Sequence, residues 1–190
     1  EILPQAGITT ASAQRNFVDS VRAVTPAATG LAVVQTLAGE AVVDAFQQAF
    51  LTAIVMVALV LWLVLRRPRD VMVVLAPLMI AALATIAVMT WFGMPFNFAN
   101  VIALPLLLGI GVDNGIHMVW RHRQSTMEVL GSSTALAIVF SALTTIAGFG
   151  NLAFSGHSGS ASMGQVLTIG MIATTLFTLL LIPPLLRWRS

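Results

Sequence analysis

The chain has 190 residues, of which 58% are hydrophobic and only 8% charged, with a formal net charge of +2; its mean hydropathy is +0.95. Soluble domains carry roughly 25% charged residues, so this composition excludes an ordinary soluble globular protein, a disordered tail and a nucleic-acid binder. All nine basic residues are Arg, which alone holds the isoelectric point near 11.1 without implying a basic patch. Cysteine and tyrosine are absent, which removes disulfides, thiol chemistry and Cys-bound metals. The first residue is Glu1, with no signal segment before it, and the chain reads as a processed product or a fragment.

Thr10 to Val24 reads as an amphipathic helix with Ala13, Phe17, Val21 and Val24 on one face, ended by Thr25-Pro26. Gly30 to Thr36 is a short β-type run centred on Leu31 to Val34, and Ala38 to Phe46 then looks helical and leads into the first apolar span. A helix, a strand and a helix are too little to bury a core. Residues 1–44 therefore read as a small α+β remnant, the end of a larger domain.

Residues 45–190 read as an all-α polytopic membrane domain. Five apolar stretches, about 45–65, 71–92, 98–120, 132–154 and 164–186, reach the roughly 20 residues that cross a bilayer. Helices are the economical reading, because hydrocarbon leaves backbone groups no water to bond. Arg66, Arg67 and Arg69, then Arg121 and Arg123, then Arg187 and Arg189 all fall at one side of a five-span topology. The opposite turns, 93–97 and 155–163, carry no Arg. The positive-inside rule makes the Arg side cytoplasmic, with the N-terminal segment outside and the C-terminus inside. Trp91, Trp120 and Trp188 sit where an interfacial aromatic belt would place them. Pro77, Pro105 and Pro183-Pro184 lie within spans and predict kinks rather than breaks.

Asp113 is the one acidic residue inside a span. An Asp at the centre of a membrane helix costs about 2.5–3.5 kcal/mol on insertion scales. It precedes Arg121 by eight residues, roughly 12 Å of helix, which puts it near the midplane of a core about 30 Å thick. Desolvation there disfavours the charged form, so the carboxyl is a candidate proton relay; the competing reading is a structural charge held by a partner on another helix. Gly109, Gly111 and Gly115 around it permit close helix packing. Asn114 is adjacent but on another face. His117 lies at i+4, on the face of Asp113, and is either a second proton carrier or, as the preferred reading, a hydrogen-bonding or snorkelling neighbour. Ser141, Thr144 and Thr145 either form a hydroxyl stripe facing Asp113 or bond their own helix backbone. The three histidines do not cluster, and nothing points to a metal, a cofactor, a nucleophile or paired catalytic carboxylates; the chain does not read as an enzyme.

The segment Asn97-Phe-Ala-Asn-Val-Ile-Ala-Leu-Pro105-Leu-Leu-Leu-Gly109-Ile-Gly111-Val-Asp113-Asn114-Gly115-Ile-His117 resembles the Asp-bearing membrane helix of RND-superfamily transporters of the MMPL type, in wording nearest the hopanoid-associated branch. Thr144-Thr145-Ile-Ala-Gly148-Phe149-Gly150 resembles the eleventh of their twelve helices. The resemblance covers essentially the whole chain and implies helices eight to twelve of a two-half transporter, preceded by the end of a periplasmic porter domain. It implies proton-driven movement of hydrophobic lipids, such as hopanoids, in the bacterial inner membrane. It maps the relay onto Asp113, with Asn114, His117, Ser141, Thr144 and Thr145 as candidate supports. The implied partners are a lipid substrate, protons, membrane lipids and the remaining half of the transporter, with a homo-oligomer also compatible. Where many relatives carry Tyr beside the Asp, this chain has Asn114, so an Asp–Tyr pair does not carry over. A sterol-sensing module of the same fold has no need of a midplane Asp; a protein-translocation accessory would share it.

The topology has a direct check. Single cysteines placed at Ser158 and Thr126 of the full-length protein are expected to react with an impermeant thiol reagent from opposite sides of an intact membrane. Reaction from the same side contradicts the arginine-based orientation.

Overall fold

The computed structural model describes residues 11–94, 97, 99, 102–124 and 131–187. The expected helix start at Thr10, the third-span start at Phe98, and Trp188 with Arg189 lie outside them. The chain divides into two compact units, Glu1–Gln48 and Ala49–Ser190.

In the first unit, α1 (Ala11–Val24) is the expected amphipathic helix. Its inward face holds Phe17, Val21 and a fully buried Val18, but Val24 is 83% exposed rather than part of that face. The Val21 carbonyl accepts the Thr25 N–H at 2.9 Å as the helix ends before Pro26. Arg15 pairs with Glu40 at 2.7 Å, and the Gln14 amide donates to Gln35 at 3.3 Å. Both contacts tie α1 to the start of the next helix.

That helix corrects the reading of a strand. Gly30 to Thr36 is not extended: α2 runs unbroken from Leu31 to Leu65, and the Val34 N–H donates to the Gly30 carbonyl at 2.9 Å. No strand occurs among the described residues, so the described part of the first unit is helical and not an α+β remnant. The physical reason is that a lone strand leaves its backbone groups unpaired, whereas a helix pairs its own. Two adjacent valines, Val33 and Val34, cannot outweigh that without a partner strand.

Among the described residues, five helices are long and apolar enough to cross a membrane. They are α2, α3 (Pro68–Trp91), α4 (Ala103–Gln124), α5 (Ser133–Gly150) continued by a 3-10 turn at Asn151–Phe154, and α6 (Ser158–Arg187). Pro68 opens α3 at a position where its missing N–H costs nothing. The Ser132 hydroxyl caps α5 by accepting the Ala135 N–H at 3.3 Å. The helices run through Pro77 and Pro183-Pro184.

In the second unit α6 is the central element, touching α3, α4, α5 and the 3-10 turn. Glycines set the spacing. A Cβ at Gly111 would lie 2.5 Å from both Leu78 of α3 and Thr174 of α6; one at Gly115 would run into Val74, and one at Gly170 into Leu107. This register makes α4 antiparallel to α3 and parallel to α6. At the arginine-bearing end Leu61, Leu65, Val74, Met118 and Ile182 form one buried cluster. Arg123 there donates to the Leu65 carbonyl at 2.7 Å and pairs with Asp70, so one side chain of α4 closes the end of α2 and the start of α3.

Gly164 meets backbone first: a Cβ there would lie 2.5 Å from the Ala153 nitrogen and 2.8 Å from both the carbonyl carbon and the Cβ of Leu152. Gly164→Ala is expected to destabilise the full-length protein by about 1–3 kcal/mol, read as a lowered melting temperature in detergent. Gly111→Ala, which meets the side chains of Leu78 and Thr174 rather than backbone, is expected to cost less. A larger loss at Gly111 contradicts the packing described.

Candidate functional site

The site is built by the rotation of α4. Gly111 and Gly115 press against α3 and α6, and Asp113 lies between them in sequence, about 200° around the helix from each. The packing that buries the glycines therefore turns the carboxyl away from the bundle. Leu106, Gly109, Asp113, His117 and Trp120 form one open stripe along α4, at the three- and four-residue spacing of a single helix face, and Ile102, just before the helix, is exposed as well. Asp113 and His117 side chains are 75% and 61% exposed in this chain.

His117 Nε2 lies 3.5 Å from Asp113 Oδ1, the i+4 neighbour that the spacing predicts. Among the described residues this is the carboxylate's only ionic contact. At 3.5 Å the contact is longer than a hydrogen bond, and an imidazole nitrogen and a carboxylate oxygen so placed are a donor and an acceptor that a water can bridge.

Asn114 takes the opposite environment. It is 5% exposed, and its Nδ2 has no hydrogen-bond partner. It points into the bundle while Asp113 points out, so the two neighbours do not act on the same space. Thr175 Oγ1 on α6 is likewise buried without a partner. Leaving such a group unpaired costs about 1–3 kcal/mol.

The expected hydroxyl stripe on α5 is not brought to Asp113. The Thr144 hydroxyl donates to the Phe140 carbonyl and the Thr145 hydroxyl to the Ser141 carbonyl, both at 2.9 Å. Ser141 itself is exposed. The cause is general: a Thr hydroxyl in a helix has its own i−4 carbonyl always within reach, and in an apolar setting nothing competes for it.

Sequence reasoning missed the polar residues that α6 buries and the arginine clamp. Thr174 and Thr178 are buried and spaced i, i+4, which was a readable signal of one packed helix face. The Arg123 clamp had no local signal, because its partners Leu65 and Asp70 are more than fifty residues away in sequence.

The MMPL family matches residues 5–189 of the chain. Hopanoid transporter HpnN of Rhodopseudomonas palustris is 40% identical over 189 residues, covering 100% of this chain and 22% of the relative. Its counterpart in Burkholderia multivorans is 36% identical over 172 residues, covering 90% of this chain and 20% of the relative. A putative membrane protein of Methanocaldococcus jannaschii is 26% identical over 150 residues, 73% of this chain and 39% of that protein. The chain thus spans about a fifth of the length of the two hopanoid transporters.

Proposed function

The chain belongs to the MMPL family, and on that premise we propose that it forms part of a proton-driven secondary transporter that moves hydrophobic lipids of the hopanoid class. Two relatives covering at least 90% of the chain carry the name hopanoid transporter, which supports the substrate class. The observation that carries the mechanism is a carboxyl at mid-span on the open stripe of an apolar helix, with an imidazole 3.5 Å away.

In this reading Asp113 takes up and releases the coupling proton and His117 orients its carboxyl. Neutral and charged Asp113 favour different helix packings, and alternation between them drives the transport cycle. A proton crossing 100 mV supplies about 2.3 kcal/mol, enough to shift a two-state equilibrium by more than tenfold. The open stripe cannot face hydrocarbon while it bears a carboxylate. It packs instead against the remaining half of the transporter, which supplies a polar partner to Asp113. Thr144 and Thr145 have their hydroxyls committed to α5, so the relay is assigned to α4 and to that partner. The arginine-bearing end faces the cytoplasm, and the helical unit before residue 45 is the end of a periplasmic domain.

In the full-length protein, Asp113→Asn keeps the shape and removes the titrating group. It is expected to insert and express normally while proton-driven transport into vesicles falls at least about a hundredfold, the low end of what losing a proton-transferring group costs. His117→Ala is expected to stay within about tenfold of the wild type, because an orienting neighbour contributes less than the proton carrier. Near-normal transport by Asp113→Asn sinks the relay; an equal loss in both variants moves His117 into it.

A further inference from the structure

A second charged site lies at the C-terminal end of α4. The first turn of α3, the last turn of α4 and the end of α6 enclose a cavity of 430 Å³. One wall carries Arg67, Arg69 and His122, and its floor is apolar, made by Val73, Val119 and Leu186, all three buried. Asp70 and Arg123 also line it, but they are paired with each other, and Arg123 is further held by the Leu65 carbonyl. Their charges cancel inside the clamp. Arg67 and Arg69 are exposed, and neither has an acidic partner among the described residues. Arg67 is also the N-cap residue of α3, and Asp70 in the first turn already offsets the positive end of the helix dipole, so the positive charge of the cavity rests on the two guanidinium groups.

Two unpaired arginines select an anion with several acceptor oxygens, which a guanidinium fork binds two at a time. The buried apolar floor is of no use to a free inorganic anion. It suits a ligand that carries a phosphate and hydrocarbon together, and the cavity opens where membrane-spanning helices end, at headgroup level. Basic pockets between helices at this level are where anionic lipid headgroups dock. We propose that this cavity binds the phosphate headgroup of an anionic phospholipid, with Arg67 and Arg69 on the phosphate and the first acyl carbons over Val119 and Leu186. This ligand is distinct from the transported lipid: a neutral hydrophobic cargo gives the arginines nothing to hold. The site is also independent of the proton relay, because its readout is binding rather than transport.

The experiment uses the full-length protein in nanodiscs of phosphatidylcholine doped with phosphatidylglycerol or cardiolipin, with the lipid retained after extraction measured by native mass spectrometry. The wild type is expected to retain the anionic lipid over phosphatidylcholine. Arg67→Gln with Arg69→Gln is expected to lower that retention about tenfold. The charge-matched pair Arg66→Gln with Arg121→Gln, at the same end but outside the cavity, is expected to change it by less than about twofold. Inorganic phosphate is expected not to displace the lipid. Equal loss in the two pairs assigns the binding to diffuse charge and overturns the site. Equal retention of phosphatidylcholine overturns the headgroup assignment, and displacement by inorganic phosphate makes the cavity a soluble-anion site instead.

Discussion

The close approach of α4 to its neighbours governs the rest of this structure. Gly111, Gly115 and Gly170 leave no room for a Cβ against Leu78, Val74 and Leu107. In a membrane the hydrophobic effect cannot drive helices together, so close van der Waals contact at small residues does much of that work. Once those three glycines are seated, the rotation of α4 is fixed. The same rotation buries Asn114, opens Asp113 and His117, and delivers Arg123 to the ends of α2 and α3.

One helix thereby carries three kinds of polar residue in three settings. Asn114 is sealed in the bundle with its amide unpaired. Asp113 and His117 stand on the open face. Arg123 lies at the helix end, where its long side chain reaches a carbonyl and a carboxylate together. Each setting follows from depth and angle along a rigid rod, with 100° and 1.5 Å per residue. A carboxyl at mid-span, with an imidazole as its one polar neighbour on that face, is stable in a bilayer only if protein or water covers it, so the geometry of this chain calls for a partner surface along the stripe from Ile102 to Trp120.

The legible part of the fold was the part that length and hydropathy dictate. The five spans follow from apolar runs of sufficient length, and the Asp113–His117 pair follows from i+4 spacing alone. Gly111 and Gly115 were readable as sites of close packing, though not which helices they meet. The strand at Gly30 to Thr36 was misread because Val33-Val34 is a local β signal, while the competing helix draws its stability from 35 continuous residues. For the α5 hydroxyls spacing left two readings open, because it shows which residues share a face but not whether a hydroxyl turns to a neighbour or to the carbonyl one turn back, which Thr144 and Thr145 take. Contacts such as Arg123 to Asp70 depend on tertiary placement and leave no trace in local pattern.

The central claim is that the Asp113 face of α4 is a protein interface and not a lipid-facing surface. A structure of the full-length protein in a lipid bilayer tests it most directly. The account predicts protein along the stripe from Ile102 to Trp120, and a polar group from outside residues 1–190 within a hydrogen bond, or one water, of the Asp113 carboxylate. Acyl chains packed along that stripe, with Asp113 meeting only His117, would contradict it.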